Sequence, residues 1–354
     1  LLKEPPVKNA REAAIDIVEA SYNLDVSASE WMQNLQERAA PVFDLGRAFG
    51  GGIWAGMDDT GNLIATGFSY SDPAAAEITL PKVAQATAEI GAERMAAWTE
   101  ETQSIVSVHS SHPPELGTFE VFTRHLECAD ILEVNAHDHD GYGFSWWCPS
   151  DTPIQLSRRE KKTLEQLTIH MAAGHRIRRE IENQPTAKGL SLAELPLDAE
   201  ALMDPKHFVV TDASGVARDP TVSERIREAA KQVDKARGKL RRQDPEEALD
   251  IWKGLARGRW SLVDWFDTDG RRYVLAKPNL PRVGDPRGLT EQEALIATYA
   301  ARGETGKIMS YRFGISRQRI STLLGSAKRK LGVKTQAELA AKLGPFGPLA
   351  GHGS

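Results

Sequence analysis

Between Leu289 and Leu339 the chain reads LTEQEALIATYAARGETGKIMSYRFGISRQRISTLLGSAKRKLGVKTQAEL. Thr290 followed by Glu293 is a capping box, a pair that satisfies two orphan N–H groups at a helix start. Gly303 ends the helix so begun, because the residue after a helix favours a left-handed backbone. Thr305 caps a second helix, Gly314 permits a sharp turn, and Ser316 caps a third. Ile315, Ile320, Leu324 and Leu331 fall at spacings that face one small core. Thr335 with Glu338 starts a fourth helix. The pattern predicts an all-α, four-helix module over residues 287–343, with a helix-turn-helix at its centre.

Leu289-Thr290-x-x-Glu293, Gly303, Phe313-Gly314-Ile315-Ser316 and Lys330-Leu331-Gly332-Val333 together resemble the LuxR/GerE-type helix-turn-helix, over about fifty residues. The resemblance implies a third helix lying in the major groove of duplex DNA, with the others holding it there. It places Ser321, Thr322 and Gly325 toward the groove, with Arg317, Arg319 and Ser326 on the same outward face. Arg319 has the fork for a bidentate contact with guanine. Arg317, Gln318, Lys328 and Arg329 suit phosphate, helped by Lys307 from the second helix. Thr305 and Ser316 stand at helix N-termini, where free N–H groups and the dipole favour phosphate.

Four positions depart from that pattern. Leu323 stands where many relatives carry His, and Ile308 where a Glu would complete the second capping box. Ser321 and Gly325 stand where Lys is common. Fewer long donors reach the groove, which gives DNA shape more weight in any readout.

Charge separates this module from the rest. Residues 287–343 hold eleven Lys and Arg against four Asp and Glu, so +7; with the whole chain at −5, the remainder carries −12. A basic end on an acidic body confines anion binding to that end. The chain has 354 residues, enough for two or three domains. No apolar stretch approaches the ~20 residues of a membrane span. The N-terminal LLKEPPVKNAREAAIDIV is no signal peptide. Two cysteines, Cys128 and Cys148, fit a reducing cytosol.

The body reads as α+β, with antiparallel hairpins and helices to one side. Residues 8–182 hold two helices, a strand pair (GGIWAGM, NLIATGF), a helix, further strands (SIVSV, ILEVNA, YGFSWWC) and a long helix from Ser157, itself boxed with Glu160. Residues 195–280 hold a strand pair (HFVVTD, GVARD), a helix boxed by Thr221 and Glu224, a helix near Pro245, and a hairpin (RWSLVDWFD, RRYVLAKPN). Gly-bearing turns at 58–61, 138–141, 212–215 and 267–270 mark the hairpins. Linkers fall at 182–188 and 281–288, and the tail from 344 has no periodicity. The first segment resembles a GAF/PAS-like sensory domain and the second a smaller PAS-like domain. The phosphoacceptor receiver and the autoinducer-binding domain do not fit, the first because its sheet is parallel.

Within the first segment, Trp54, Phe68, Phe144 and Trp146 fall on strands and are candidates for an apolar ligand pocket. His109, His112, Cys128, His137, His139 and Cys148 match no zinc spacing, so no metal is expected. Both thiols are expected to be buried and inert. No nucleophile elbow, P-loop, Rossmann glycine run or HExxH is present, so no enzyme activity is expected. No cofactor is implied beyond an unidentified small molecule.

The implied whole is a transcriptional regulator of the cytoplasm and nucleoid, with promoter DNA, RNA polymerase and a second copy of itself as partners and no membrane. Two apolar stripes offer a dimer seam: Ile226, Val233 and Leu240, and Leu164, Leu167, Met171 and Ile177. Packing of each stripe on its own sheet explains it equally well. The alternative is a ligand- or metal-sensing protein whose helix-turn-helix serves as a protein-binding scaffold, as in a sigma-like role.

Overall fold

The computed structural model describes residues 10–24, 26–57, 63–91, 93–95, 105–111, 117–137, 141–182, 195, 198–252, 255–256, 260–266, 270–278, 289–331 and 333–343. Outside them lie positions 58–61, 138–140 and 267–269 of the expected turns, the linkers at 183–188 and 281–288, the tail from 344, and His112 and His139.

In the first segment, α1 (Ala10–Ser21) and α2 (Ala28–Phe43) precede β1 (Gly50–Met57) and β2 (Leu63–Tyr70). Then come α3 (Pro73–Ile90), β3 (Val106–Val108), α4 (Thr118–Leu126), β4 (Asp130–His137), β5 (Tyr142–Ser150) and α5 (Arg158–Glu182). The strands form one antiparallel sheet in the order β2-β1-β5-β4-β3.

The second segment holds β6 (Ala201–Met203), β7 (Val210–Ala213), α6 (Pro220–Lys235), α7 (Pro245–Ile251), β8 (Leu255–Ala256), β9 (Trp260–Phe266) and β10 (Arg272–Pro278). Its sheet runs β7-β6-β10-β9-β8. Counted from its own first strand, that is the order of the first sheet. The last segment is α8 (Glu291–Ala301), α9 (Gly306–Phe313), α10 (Arg317–Leu331) and α11 (Gln336–Leu343).

Strand alternation divides the first sheet into two faces. Val134, Ala136, Phe144, Trp146 and Cys148 point inward with Trp31, Leu35 and Phe43 from α2 and Leu164, Leu167 and Met171 from α5. On the other face α3 and α4 cover one end through Ala86, Ile90, Val121 and Phe122, packed with Ile131. The second sheet rests one face on α6 through Ile226 and Ala230. Its other face, with Val263 and Leu275, joins the core of the first segment, as do Leu249 and Trp252. Sheet, helix layer and sheet therefore share one continuous apolar interior, reinforced by ion pairs from Arg241 to Asp16 and Glu19.

Both candidate dimer stripes are spent on this interior. Leu164, Leu167, Met171 and Ile177 are fully buried, as is Ile226, while Val233 and Leu240 are half-buried against the same core. A homodimer has to use another surface. The expected strand pair at 207–219 also differs: Val210–Ala213 pairs back with Ala201–Met203, and Gly215–Arg218 is a helical turn.

The capping boxes at Ser157/Glu160, Thr290/Glu293 and Thr335/Glu338 form, each with both reciprocal bonds. Thr221/Glu224 does not cap α6. Asp219 does so, accepting from the Thr221 and Val222 N–H groups, with Pro220 pre-set at the first helical position. Among the described residues no helix is long and apolar enough to cross a membrane.

Candidate nucleic-acid interface

The helical module is built as its spacing predicts. Thr305 Oγ1 accepts from the Ile308 N–H at 3.3 Å, and Ser316 Oγ accepts from the Arg319 N–H at 3.2 Å. Gly303 and Gly314 both have left-handed backbones, with φ of 82° and 62°, which a side chain at either position would strain. Ile320, Leu323, Ala327 and Leu331 of α10 are buried against Leu289, Ala297, Met309 and Phe313. Leu323, not Leu324, is thus the fully covered residue of that pair; Leu324 and Ile315 pack at the margin.

Removing that face leaves the candidate interface. Arg317, Gln318, Arg319, Ser321, Thr322, Gly325 and Arg329 are exposed along α10, and Thr305, Lys307 and Ser316 are exposed at the two helix starts. Arg317, Ser321 and Gly325 repeat every four residues on one side, flanked by Gln318, Thr322 and Arg329 on the next row. The Thr322 hydroxyl is turned back to the Gln318 carbonyl at 2.9 Å, and Arg329 Nε reaches the Gly325 carbonyl at 3.4 Å. Lys328 is half-buried and lies close enough to Glu338 to help lower its carboxyl.

Ser326 does not share this face. Its hydroxyl bonds to Glu293 of α8, so it belongs to the inside of the module. Lys330 Nζ joins the same carboxylate at 2.6 Å. Burial pushes the Glu293 carboxyl up, but the bonds from Lys330, Ser326 and Thr290 outweigh it and lower it to about 2. A second internal tie escaped the sequence. Arg312 holds Glu304 through two bonds, 3.1 and 2.6 Å, with both side chains under a tenth exposed. The guanidinium also lies over the Tyr299 ring at 4.3 Å. Eight residues separate the pair in the sequence, a spacing with no local signature.

The four candidate pocket residues do not line one pocket. Phe144 and Trp146 are fully buried on the inner face, meeting the Trp31, Phe43 and Phe49 rings edge-on. Trp54 pairs with Gly143 and Phe68 with Gly52, which puts both rings on the outer face, Phe68 more than half exposed. Beside Trp54 lies a polar cluster that the sequence did not single out. Trp54 Nε1 donates to Ser145 Oγ at 3.0 Å; the Ser145 hydroxyl donates to Asn135 Oδ1 at 2.8 Å, and His137 Nε2 lies 3.0 Å from the same Oγ.

Cys148 sits in the inner core and Cys128 against the α3–α4 cluster, and burial pushes both thiols up. His109 bonds to Glu133 at 3.3 Å beneath α4. Among the described residues no three His, Cys, Asp or Glu side chains converge as metal ligands would. Compared with known proteins, the chain matches no family model, no curated protein and no solved structure.

Proposed function

We propose that this protein is a DNA-binding transcriptional regulator, with α10 as its recognition helix. One observation carries the reading: Arg317, Gln318, Arg319, Ser321, Thr322, Gly325 and Arg329 stay exposed along a capped helix whose opposite face is wholly buried. Arginine forks and hydroxyls on such a face match base edges, and the module's +7 charge matches phosphate. Two sheets of one strand order, each backed by helices, support a GAF/PAS-like reading of the body as a sensory pair. The polar cluster of Trp54, Asn135, His137 and Ser145 is the candidate place for a signal molecule. A second reading, the module as a protein-binding scaffold, is favoured by the way α9 packs on the body.

Duplex binding separates the two. The affinity of the regulator for DNA falls with salt, log K dropping about 0.9 per phosphate neutralised for each tenfold rise. Arg319→Ala relaxes discrimination between selected and random duplexes by about 1–3 kcal/mol, while Lys328→Ala weakens all duplexes alike. Fluorescence anisotropy across a salt series reads both effects. Equal loss on every sequence for both variants removes Arg319 from base reading, and salt-independent or absent binding removes DNA.

A further inference from the structure

The scaffold helix α9 shows two faces. Met309 and Phe313, four residues apart, belong to the module's own core. Ile308 and Tyr311, three apart on the other side, belong to the body's core instead. Ile308 is the residue standing where Glu would complete the Thr305 capping box. The departure now has a physical cause, because a carboxylate there would enter an apolar interior.

Tyr311 makes the joint directional. Its Oη donates toward the Leu249 carbonyl at 2.8 Å, with the Trp252 carbonyl at 3.2 Å. It accepts from His170 Nε2 of α5 at 2.9 Å. The His170 proton therefore sits on Nε2, leaving Nδ1 to accept from Tyr22 Oη, which follows α1, at 3.1 Å. Both tyrosine rings meet the imidazole edge-on, at 78° and 84°. All three segments of the chain meet in this chain of bonds. At its margin Glu165 of α5 faces Glu304 and Lys307 at the N-terminal end of α9; burial raises its carboxyl most, Lys161 of α5 lowers it, and Glu304 and Lys307 add smaller opposing effects.

We propose that this joint is an autoinhibitory contact, holding the module against the acidic body until α9 is released. The proposal rests on the DNA reading above. Thr305 and Lys307 stand where phosphate would approach the N-terminus of α9, and docking sets the Glu165 carboxyl near Lys307. The body behind it carries a net −12, which repels the same phosphates. A buried relay of this kind is either fully paired or opened to water, since a half-paired buried group is costly. The joint thus has two states, and DNA binds tightly only to the released one. The apparent affinity is the intrinsic affinity scaled by the released fraction.

Ile308→Glu tests this on the full chain. It drives a charge into the body's core and also supplies the missing partner for the Thr305 box, so the module keeps its own core and gains a cap. Tyr311→Phe is the milder variant, deleting the hydroxyl that bonds to Leu249 and His170. Two measurements are made on each: the radius of gyration by solution scattering, and binding to a fluorescent random-sequence duplex at low salt. Release is expected to expand Ile308→Glu and tighten its duplex binding about tenfold, the factor for a docked population of about nine-tenths. Tyr311→Phe falls between it and the parent. Unchanged scattering for both variants overturns the joint. Expansion with unchanged or weaker duplex binding overturns the inhibition. An expanded variant that, like the parent, binds no duplex at all rejects the DNA reading instead.

Discussion

Glu293 closes the capping box of α8 and, through the same Oε2, anchors Lys330 of α10. Its carboxyl, lowered from 4.5 to about 2, is ionised in the folded module under all but strongly acid conditions. Stability linked to a lowered carboxyl is complete above its ordinary value and lost as pH falls toward the folded one. The module should therefore lose this contribution between pH 4.5 and about 2. Glu293→Gln should cost about 1–3 kcal/mol at neutral pH and flatten that part of the profile. Circular dichroism melts of the two proteins across the acid range check it. The capping role of Glu293 was legible because a box is local. Its bond to Lys330 was not, because the two lie thirty-seven positions apart.

Helix faces were legible to within one residue. On α10 a spacing of three or four is equally helical, and the sequence points to Leu324 as core; packing places Leu323 there instead, with Leu324 at the margin. Leu323→Ala should destabilise the module by about 2–5 kcal/mol, with Leu324→Ala costing less, as read by denaturant titration. Equal costs would place both leucines in the core. The same helical arithmetic set Ser326 on the outer face, and only its bond to Glu293 shows otherwise. α4 carried no start signal, since Gly117 caps it without a side-chain bond. β6 is three residues long, too short for a period, so its partner β7 seemed to pair forward instead. Trp54, Phe68, Phe144 and Trp146 lie on the expected strands, but alternation sends two to each face. Which strand opposes which was needed to see it.

At the scale of the whole molecule, His170 couples the joint to pH. Burial lowers its imidazole from 6.5 to about 3, with the nearby Arg312 acting the same way against a bond involving Trp252. Tyr22 and Tyr311 face the ring from α1 and α9, and Arg176 lies near Tyr22. A docked joint holds the ring neutral, whereas release of α9 opens its Nε2 edge to water. Docking is then full strength above pH 6.5 and weakens as pH falls, by up to about tenfold per unit. Glu165 and Glu19, both raised by burial, work in the opposite sense as they take up protons. Scattering between pH 7.5 and 5.5 should show expansion on acidification, and His170→Gln should remove the dependence; a flat parent profile would exclude His170 as the coupling group. The joint also has a bearing on ancestry and on engineering. Ile308 lies inside the last helical module by sequence and inside the body by packing. A helix-turn-helix module borrowed from another protein, with a polar residue at that place, would fold and yet sit loose on this body. The last segment is therefore not an interchangeable cartridge: position 308 is tied to the body's core and position 311 to α5 and α7, so any chimaera has to carry Ile308 and Tyr311 with it.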